Sequence, residues 1–152
     1  MQVSDADRRI LRQLMADADA PAAQLAERAG VTPAVWSRRV ERLRAGGILR
    51  GQRAVIDWRA MGYAVEVSLR FALDKTEPRA FDEFVAAARE VPEVIAIQTF
   101  LGRVDVRLSV IAYDMKHYQE IYRTRILNLP HIADLEALMH VATLKQAESL
   151  PI

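Results

Sequence analysis

The segment from Leu25 to Leu49, LAERAGVTPAVWSRRVERLRAGGIL, predicts two short helices joined by a tight turn. Gly30 can adopt the positive φ that ends the first of these helices. Thr32 is a good N-cap for the second, and Pro33 suits its first helical position. This spacing is typical of a helix-turn-helix, whose second helix enters the DNA major groove.

The helix predicted over residues 33–45 has two faces of different character. Trp36, Val40 and Leu43 lie within about 40° of one another at 100° per residue, which predicts a buried stripe. On the opposite face, arginines one turn apart offer donors to base edges, and a small residue allows close approach to a thymine methyl. The residues of this face expected to contact DNA are Ala34, Ser37, Arg38 and Arg42. Arg39 points nearer the core, so an ion pair with an acidic residue of the first helix of the chain is expected.

The flanking segments predict the rest of a winged helix-turn-helix. Residues 5–17 predict a helix that Ser4 can cap. Residues 48–56 predict a two-stranded wing, in which Arg50 and Arg53 are placed to contact phosphates. Phosphate contacts add affinity but no sequence information. The alternative interpretation is a helical hairpin that binds another protein and carries surface arginines.

Charge is unevenly distributed along the chain, although the formal net charge is only +1. Residues 1–60 contain 11 arginines and 7 acidic residues, a net charge of +4, whereas residues 61–152 have a net charge of −3. A basic first part beside an acidic remainder indicates that one part meets a polyanion. A solvated helix face without a partner is the alternative.

Residues 57–62 predict a hinge, after which the periodicity changes from that of a helix to that of a strand. Residues 63–73 alternate between apolar side chains and small or polar ones, as in a strand with one buried face. The pattern strand–helix–strand then occurs twice, and Pro92 and Pro130, which follow the two helices, lie 38 residues apart. The predicted elements are strands 63–73, 94–101, 104–110 and 132–144 and helices 78–91 and 114–127.

Two copies of β-α-β form a four-stranded antiparallel sheet with both helices on one face. The predicted fold class is therefore α+β. It has a winged helix-turn-helix at 1–56, the hinge at 57–62 and a ferredoxin-like βαββαβ domain at 63–152. The other face of the sheet would lie bare, so a second subunit is expected to cover it and form a homodimer.

The whole chain resembles the Lrp/AsnC family, the feast/famine regulators of bacteria and archaea. The matching segments are VSDADRRIL at 3–11, LAERAGVT at 25–32, RRVERL at 38–43, GIL at 47–49 and LGRVD at 101–105. The resemblance implies a sequence-specific DNA-binding transcriptional regulator of amino-acid metabolism genes. It also implies a RAM/ACT-like second domain, dimers that pair through their sheets, and octamers built as tetramers of dimers.

The resemblance further implies a small effector, usually an amino acid, bound where dimers meet. A glycine loop exposes backbone N–H groups to a carboxylate, and a nearby acid can meet an α-amino group. The residues expected around the effector are Leu101, Gly102, Arg103, Val104 and Asp105, with Leu138, Met139 and His140 of the last strand. The alternative is a plain hairpin turn in which Asp105 pairs with Arg107 or Arg103.

No catalytic, metal or cofactor site is predicted. His117, His131 and His140 are isolated and lack metal-ligand spacing, and the sequence has no phosphate-binding glycine loop. Two alternatives to an effector-controlled regulator stay open. One is an architectural DNA-binding protein without an effector, and the other is an enzyme similar to the sirohaem decarboxylases, which share both halves of this fold.

The composition of the 152 residues argues against a membrane or secreted protein. No apolar run approaches the roughly 20 residues of a membrane span, and the first residues lack the apolar core of a signal peptide. There is no cysteine, so disulfides and thiolate metal sites are excluded. A cytoplasmic location without membrane association is expected.

Overall fold

The structure is a computed structural model that describes residues 2–145 and 149–152, and the chain divides into two compact units. The first unit is Met1–Val55 with Leu144–Ile152, and the second is Ile56–Thr143. The end of the chain belongs to the first unit, where the Leu150 amide donates to the Met15 sulfur over 3.3 Å. The last residues of the domain expected at 63–152 thus cluster with the first unit in the structure.

Three helices form the helix-turn-helix of the first unit. They are α1 (Asp5–Ala16), α2 (Ala22–Arg28) and α3 (Pro33–Ala45). Both expected caps are present, since Ser4 accepts from the Asp7 amide and Thr32 from the Val35 amide, each over 3.3 Å. Gly30 has a φ of 66° in the turn between α2 and α3, as predicted. The helices bury a common core of Ile10, Leu25, Ala26, Ala29, Trp36, Val40 and Leu43.

The prediction of a two-stranded wing within residues 48–56 is wrong, because these residues form no strand in the structure. The segment after α3 runs irregularly beside α1, and the Gln52 side chain donates to the Ala18 carbonyl over 3.1 Å. A ribbon of two strands without a third is only marginally stable in water. The sequence Arg-Gly-Gln-Arg at 50–53 also offers little strand propensity.

Strands and helices follow one another in the second unit in the order β-α-β-β-α-β. They are β1 (Val65–Leu73), α4 (Ala80–Arg89), β2 (Val94–Thr99), β3 (Val106–Ala112), α5 (Met115–Ile121) and β4 (Ile132–Met139). A π-helical turn, Tyr122–Ile126, extends α5, and β4 is shorter than the predicted strand 132–144. The antiparallel sheet has the strand order β2-β3-β1-β4, which confirms the ferredoxin-like prediction.

Helices α4 and α5 pack on the same face of this sheet. Phe71 of β1 and Phe84 of α4 are fully buried there, with ring centroids 4.8 Å apart. The opposite face carries Ser68 and Arg70 of β1, the latter directly across from Arg107 of β3. In the described part of the unit no helix packs on this second face. Among all described residues, no helix has the length and apolar character needed to cross a bilayer.

Candidate functional site

Helix α3 separates a buried apolar stripe from an accessible face, as predicted. Its stripe residues are at most 7% exposed. On the other face Ala34, Ser37 and Arg38 are exposed, and 48% of the Arg42 side chain reaches the surface. Because residues three and four apart on a helix are neighbours, these four side chains share one accessible surface.

Asp7 of α1 is fully buried and pairs with two arginines of α3. Arg39 Nη1 donates to Asp7 Oδ1 over 3.0 Å, and Arg42 Nη2 donates to Asp7 Oδ2 over 2.5 Å. Ser4 donates to Oδ2 from its backbone N over 2.9 Å and from its Oγ over 2.6 Å. The predicted ion pair of Arg39 is confirmed. The pairing of Arg42 with the same carboxylate was not foreseen from the sequence.

The ionised form of Asp7 is strongly favoured by these contacts. Burial alone would raise the pKa of Asp7, but hydrogen bonds from Ser4 and Arg39 and the charge of Arg42 outweigh burial and lower the pKa to about 2. Since the folded-state pKa lies below the ordinary value of 3.8, ionised Asp7 stabilises the fold above about pH 4. That contribution is lost as the pH falls towards 2, so the carboxylate stays charged throughout the neutral range.

Arg50 and Arg53 lie after α3 in the irregular segment, and both are exposed. They belong to the same compact unit as α3. Residues 31–59 contain 7 arginines and only 2 acidic residues, so this exposed segment extends a basic stretch of the chain. Exposed arginines in such a setting suit contacts with phosphates, which do not depend on base sequence.

Asp105, in the loop between β2 and β3, already has donors from its own unit. Asp105 Oδ2 accepts from the Leu73 amide over 2.8 Å, and Lys75 Nζ donates to Oδ1. The hydrogen bonds from Lys75 and Leu73, with the charge of Lys75, lower the pKa of Asp105 against the opposing effect of burial. The cationic partner is therefore Lys75, and neither Arg103 nor Arg107 takes the place that the alternative of a plain hairpin turn assigned to them.

An open depression of about 330 Å³ lies beside this carboxylate, lined by Phe81, Thr99, Phe100, Leu101 and Asp105. Phe81 and Phe100 are 44% and 47% exposed, and Gly102 next to them has a φ of 150°. Aromatic walls beside an acid offer both apolar and polar contacts to a small molecule. Neither phenylalanine was predicted as a site residue from the sequence, since helical periodicity favours an inward-facing Phe81 and does not reveal its exposure.

Val104 and Arg103 follow this depression along the loop. Arg103 is exposed, and Val104 is half-buried. Val104 lines a second, smaller hollow of about 200 Å³ together with Arg70, Phe100 and Arg107. Only part of the expected loop, Leu101 and Asp105, therefore lines the depression next to the carboxylate.

Three residues expected at the effector site lie elsewhere on the sheet: Leu138, Met139 and His140. Leu138 pairs with Ser68 of β1, whereas the Asp105 amide donates to the Phe71 carbonyl over 2.8 Å. Ser68 and Phe71 are three residues apart on β1, which corresponds to about 10 Å along a strand. His140 follows the end of β4 and lies still farther from Asp105, beside Glu66 near the start of β1. Its Nδ1 is 3.2 Å from Glu66 Oε2. Within this chain, the two groups of expected effector residues are not brought together.

Asp105→Asn is expected to lower the free energy of unfolding by about 1–3 kcal/mol at pH 7. The change weakens the acceptor of the buried Leu73 amide and removes the charge that faces Lys75. Because the folded-state pKa of Asp105 is depressed, the wild type is more stable than the variant above about pH 3.8. This difference in stability diminishes as the pH falls below that value. Urea unfolding at pH 7 and pH 3 measures both effects, with the exposed Asp134→Asn as control. Equal unfolding free energies at pH 7 would contradict this structural role.

Two domain families match the chain, one for each part of the fold. An AsnC-type helix-turn-helix domain matches residues 4–44, and an Lrp/AsnC ligand binding domain matches residues 66–150. The proline dehydrogenase transcriptional activator of Rhodobacter capsulatus is 32% identical over 127 residues, which are 84% of this chain and 82% of that protein. The DNA-binding transcriptional activator DecR of Escherichia coli K12 is 30% identical over 149 residues, 96% of both chains.

A solved structure with the same fold is that of the transcriptional regulator NMB0573 of Neisseria meningitidis in complex with L-Met. It superposes with a TM-score of 0.89 over 99% of this chain and 97% of its own, at 23% identity. The exposed arginine face of α3, the ferredoxin-like unit and these matches lead to one conclusion. The chain belongs to the Lrp/AsnC family of DNA-binding transcriptional regulators.

Proposed function

We propose that this regulator binds double-stranded DNA in a sequence-specific manner and controls genes of amino-acid metabolism. The observation that carries the proposal is the two-sided α3, which buries its apolar stripe and exposes Arg38. As the second helix of a helix-turn-helix, α3 enters the major groove, where arginine donates to the O6 and N7 atoms of guanine.

The proposed reading surface also includes Ala34, Ser37 and Arg42. Arg42 uses one guanidinium nitrogen for Asp7, and a guanidinium has five N–H donors, so contact with a base is compatible with that ion pair. Ala34, near the start of α3, allows the helix to approach the bases closely. Arg50 and Arg53 hold the DNA backbone.

Arg53→Ala is expected to weaken binding to all DNA sequences by a similar factor. It should also reduce the slope of log affinity against log salt concentration by about one, because one phosphate contact is lost. Anisotropy titrations at several salt concentrations, on a preferred and on a scrambled duplex, measure both quantities. A loss confined to the preferred duplex would contradict the backbone role of Arg53.

A small effector with the chemistry of an amino acid is proposed for the depression beside Asp105. Backbone N–H groups around Gly102 suit a carboxylate, and Asp105 oxygens have further lone pairs for an α-amino group. Phe81 and Phe100 suit an apolar side chain. The L-Met of the N. meningitidis complex supports this class of ligand. A contribution from Leu138, Met139 or His140 then has to come from another subunit.

The proposed assembly is a homodimer that forms through the second sheet face and places two α3 helices on one duplex. Tetramers of such dimers would form octamers, and we place the protein in the cytoplasm. Binding of the effector between dimers would then change the balance between dimer and octamer, because a ligand shifts an equilibrium towards the state that it binds better.

Selection of duplexes from a random library by the full-length protein tests the proposed function. A common motif is expected among the selected sequences. Equal retention of all sequences at low salt would instead indicate an architectural DNA-binding protein, and no retention would contradict DNA binding altogether. Thermal melting and sedimentation in the presence of each standard amino acid test the effector, and unchanged behaviour with all of them would contradict it.

A further inference from the structure

We propose that Asp7 is a positioning residue for DNA recognition, which determines the base preference of α3 by holding Arg39 and Arg42 in fixed orientations. This inference rests on the proposed function, since it assumes that α3 reads bases. Asp7 itself lies in α1 and is fully buried, so it acts through the two arginines and not by contact with DNA.

The two oxygens of Asp7 hold different arginines. Oδ1 accepts from Arg39 at 3.0 Å, and Oδ2 accepts from Arg42 at 2.5 Å. Both oxygens are thereby engaged by α3, while Ser4 fixes the carboxylate through two further hydrogen bonds to Oδ2. Charge-assisted hydrogen bonds to a buried, immobilised carboxylate define the orientation of a guanidinium far better than contacts with solvent do.

The ion pair with Asp7 holds Arg39 in an orientation that leaves one of its own N–H donors without an acceptor in the described part of the chain. Its Nη1 donates to Asp7 and to Ser4 Oγ, each over 3.0 Å, whereas its Nε is buried without a hydrogen-bond partner among the described residues. A buried N–H without an acceptor is unfavourable. The Asp7 pair therefore imposes an orientation that Arg39 would not adopt for its own Nε.

Arg42 is held at only one end. Its Nη2 is fixed to Asp7, while 48% of the side-chain surface stays exposed on the same helix face as Arg38. A long side chain that is fixed before DNA arrives loses less conformational freedom on binding than a mobile one. The geometry thus presents one pre-oriented arginine, Arg42, beside Arg38, one helical turn away.

Asp7→Asn tests the proposal, because it keeps the size of the side chain but removes the charge that binds both arginines. The measured quantity is the ratio of affinity for a selected duplex to affinity for a scrambled one, at fixed salt. We expect this ratio to fall roughly tenfold. Affinity for the scrambled duplex should stay the same or rise, because the protein loses a negative charge near the DNA. A second library selection should find relaxed preference at one base position.

Asp5→Asn is the matched control, because it makes the same change in the same turn of α1, at an exposed carboxylate that is not among the described contacts of Arg39 and Arg42. Its affinity ratio should equal that of the wild type. If Asp7→Asn does not fold by circular dichroism, Asp7→Glu decides, since it keeps the charge but moves the carboxylate, and its ratio should also fall. An unchanged ratio in the folded variant overturns the positioning role. Absence of any sequence preference in the wild type would instead contradict the proposed function itself.

Discussion

Arg38→Ala is expected to weaken binding to the selected duplex by roughly 10–100-fold, about 1–3 kcal/mol, and to relax the preference at one base pair. The reason is geometric, since Arg38 is exposed on a helix whose opposite face is anchored in the core. A bidentate contact with guanine loses both hydrogen bonds when the guanidinium is removed. Affinities for a set of duplexes with single base changes measure the effect.

Arg89→Ala is a suitable control for Arg38→Ala, because Arg89 is an exposed arginine at the end of α4 in the second unit. It removes the same charge from the protein and should leave the base preference unchanged. The division of roles between reading and backbone contacts would be wrong if Arg38→Ala and Arg53→Ala gave the same result. Both would then weaken all duplexes equally and change the salt dependence by the same amount.

Local periodicity explains why so much of the fold could be predicted. The buried stripe of Trp36, Val40 and Leu43 follows from spacing along one helix, and the central strands β1 and β3 carry their own alternation. The caps at Ser4 and Thr32 depend on residues three positions away. These signals are contained in short stretches of sequence, so both units could be assigned without knowledge of tertiary contacts.

The details of the site depend on contacts between residues that are distant in sequence. Asp7 and Arg42 are 35 positions apart, and Lys75 and Asp105 are 30 apart. Several cations and acids could pair in each case, so the sequence pointed to Asp105 and to an unspecified acid for Arg39, but not to the pairs that the structure shows. The two-stranded wing was predicted wrongly for a related reason. Two strands are stable only with a third strand or a face packed on other elements, and residues 48–56 form no such sheet.

Ser68→Lys is expected to convert the proposed homodimer into a monomer and thereby to weaken DNA binding by roughly 10²–10⁴-fold. Ser68 lies at the centre of the second sheet face, on β1 between β3 and β4. Its Oγ is buried without a hydrogen-bond partner among the described residues, and Arg70 and Arg107 are close by. A lysine there adds a long charged side chain to the face that the proposed second copy covers, where burial of its charge on pairing is unfavourable. Sedimentation and DNA titration of the same sample measure both effects.

Gln119→Lys is the matched control, because it adds the same charge at an exposed position of α5, on the helix side of the sheet. It should remain a dimer and bind DNA with the affinity of the wild type. The two variants therefore separate the effect of charge from the effect of its location. A dimeric Ser68→Lys with unaltered DNA affinity would show that the subunits pair through a different surface.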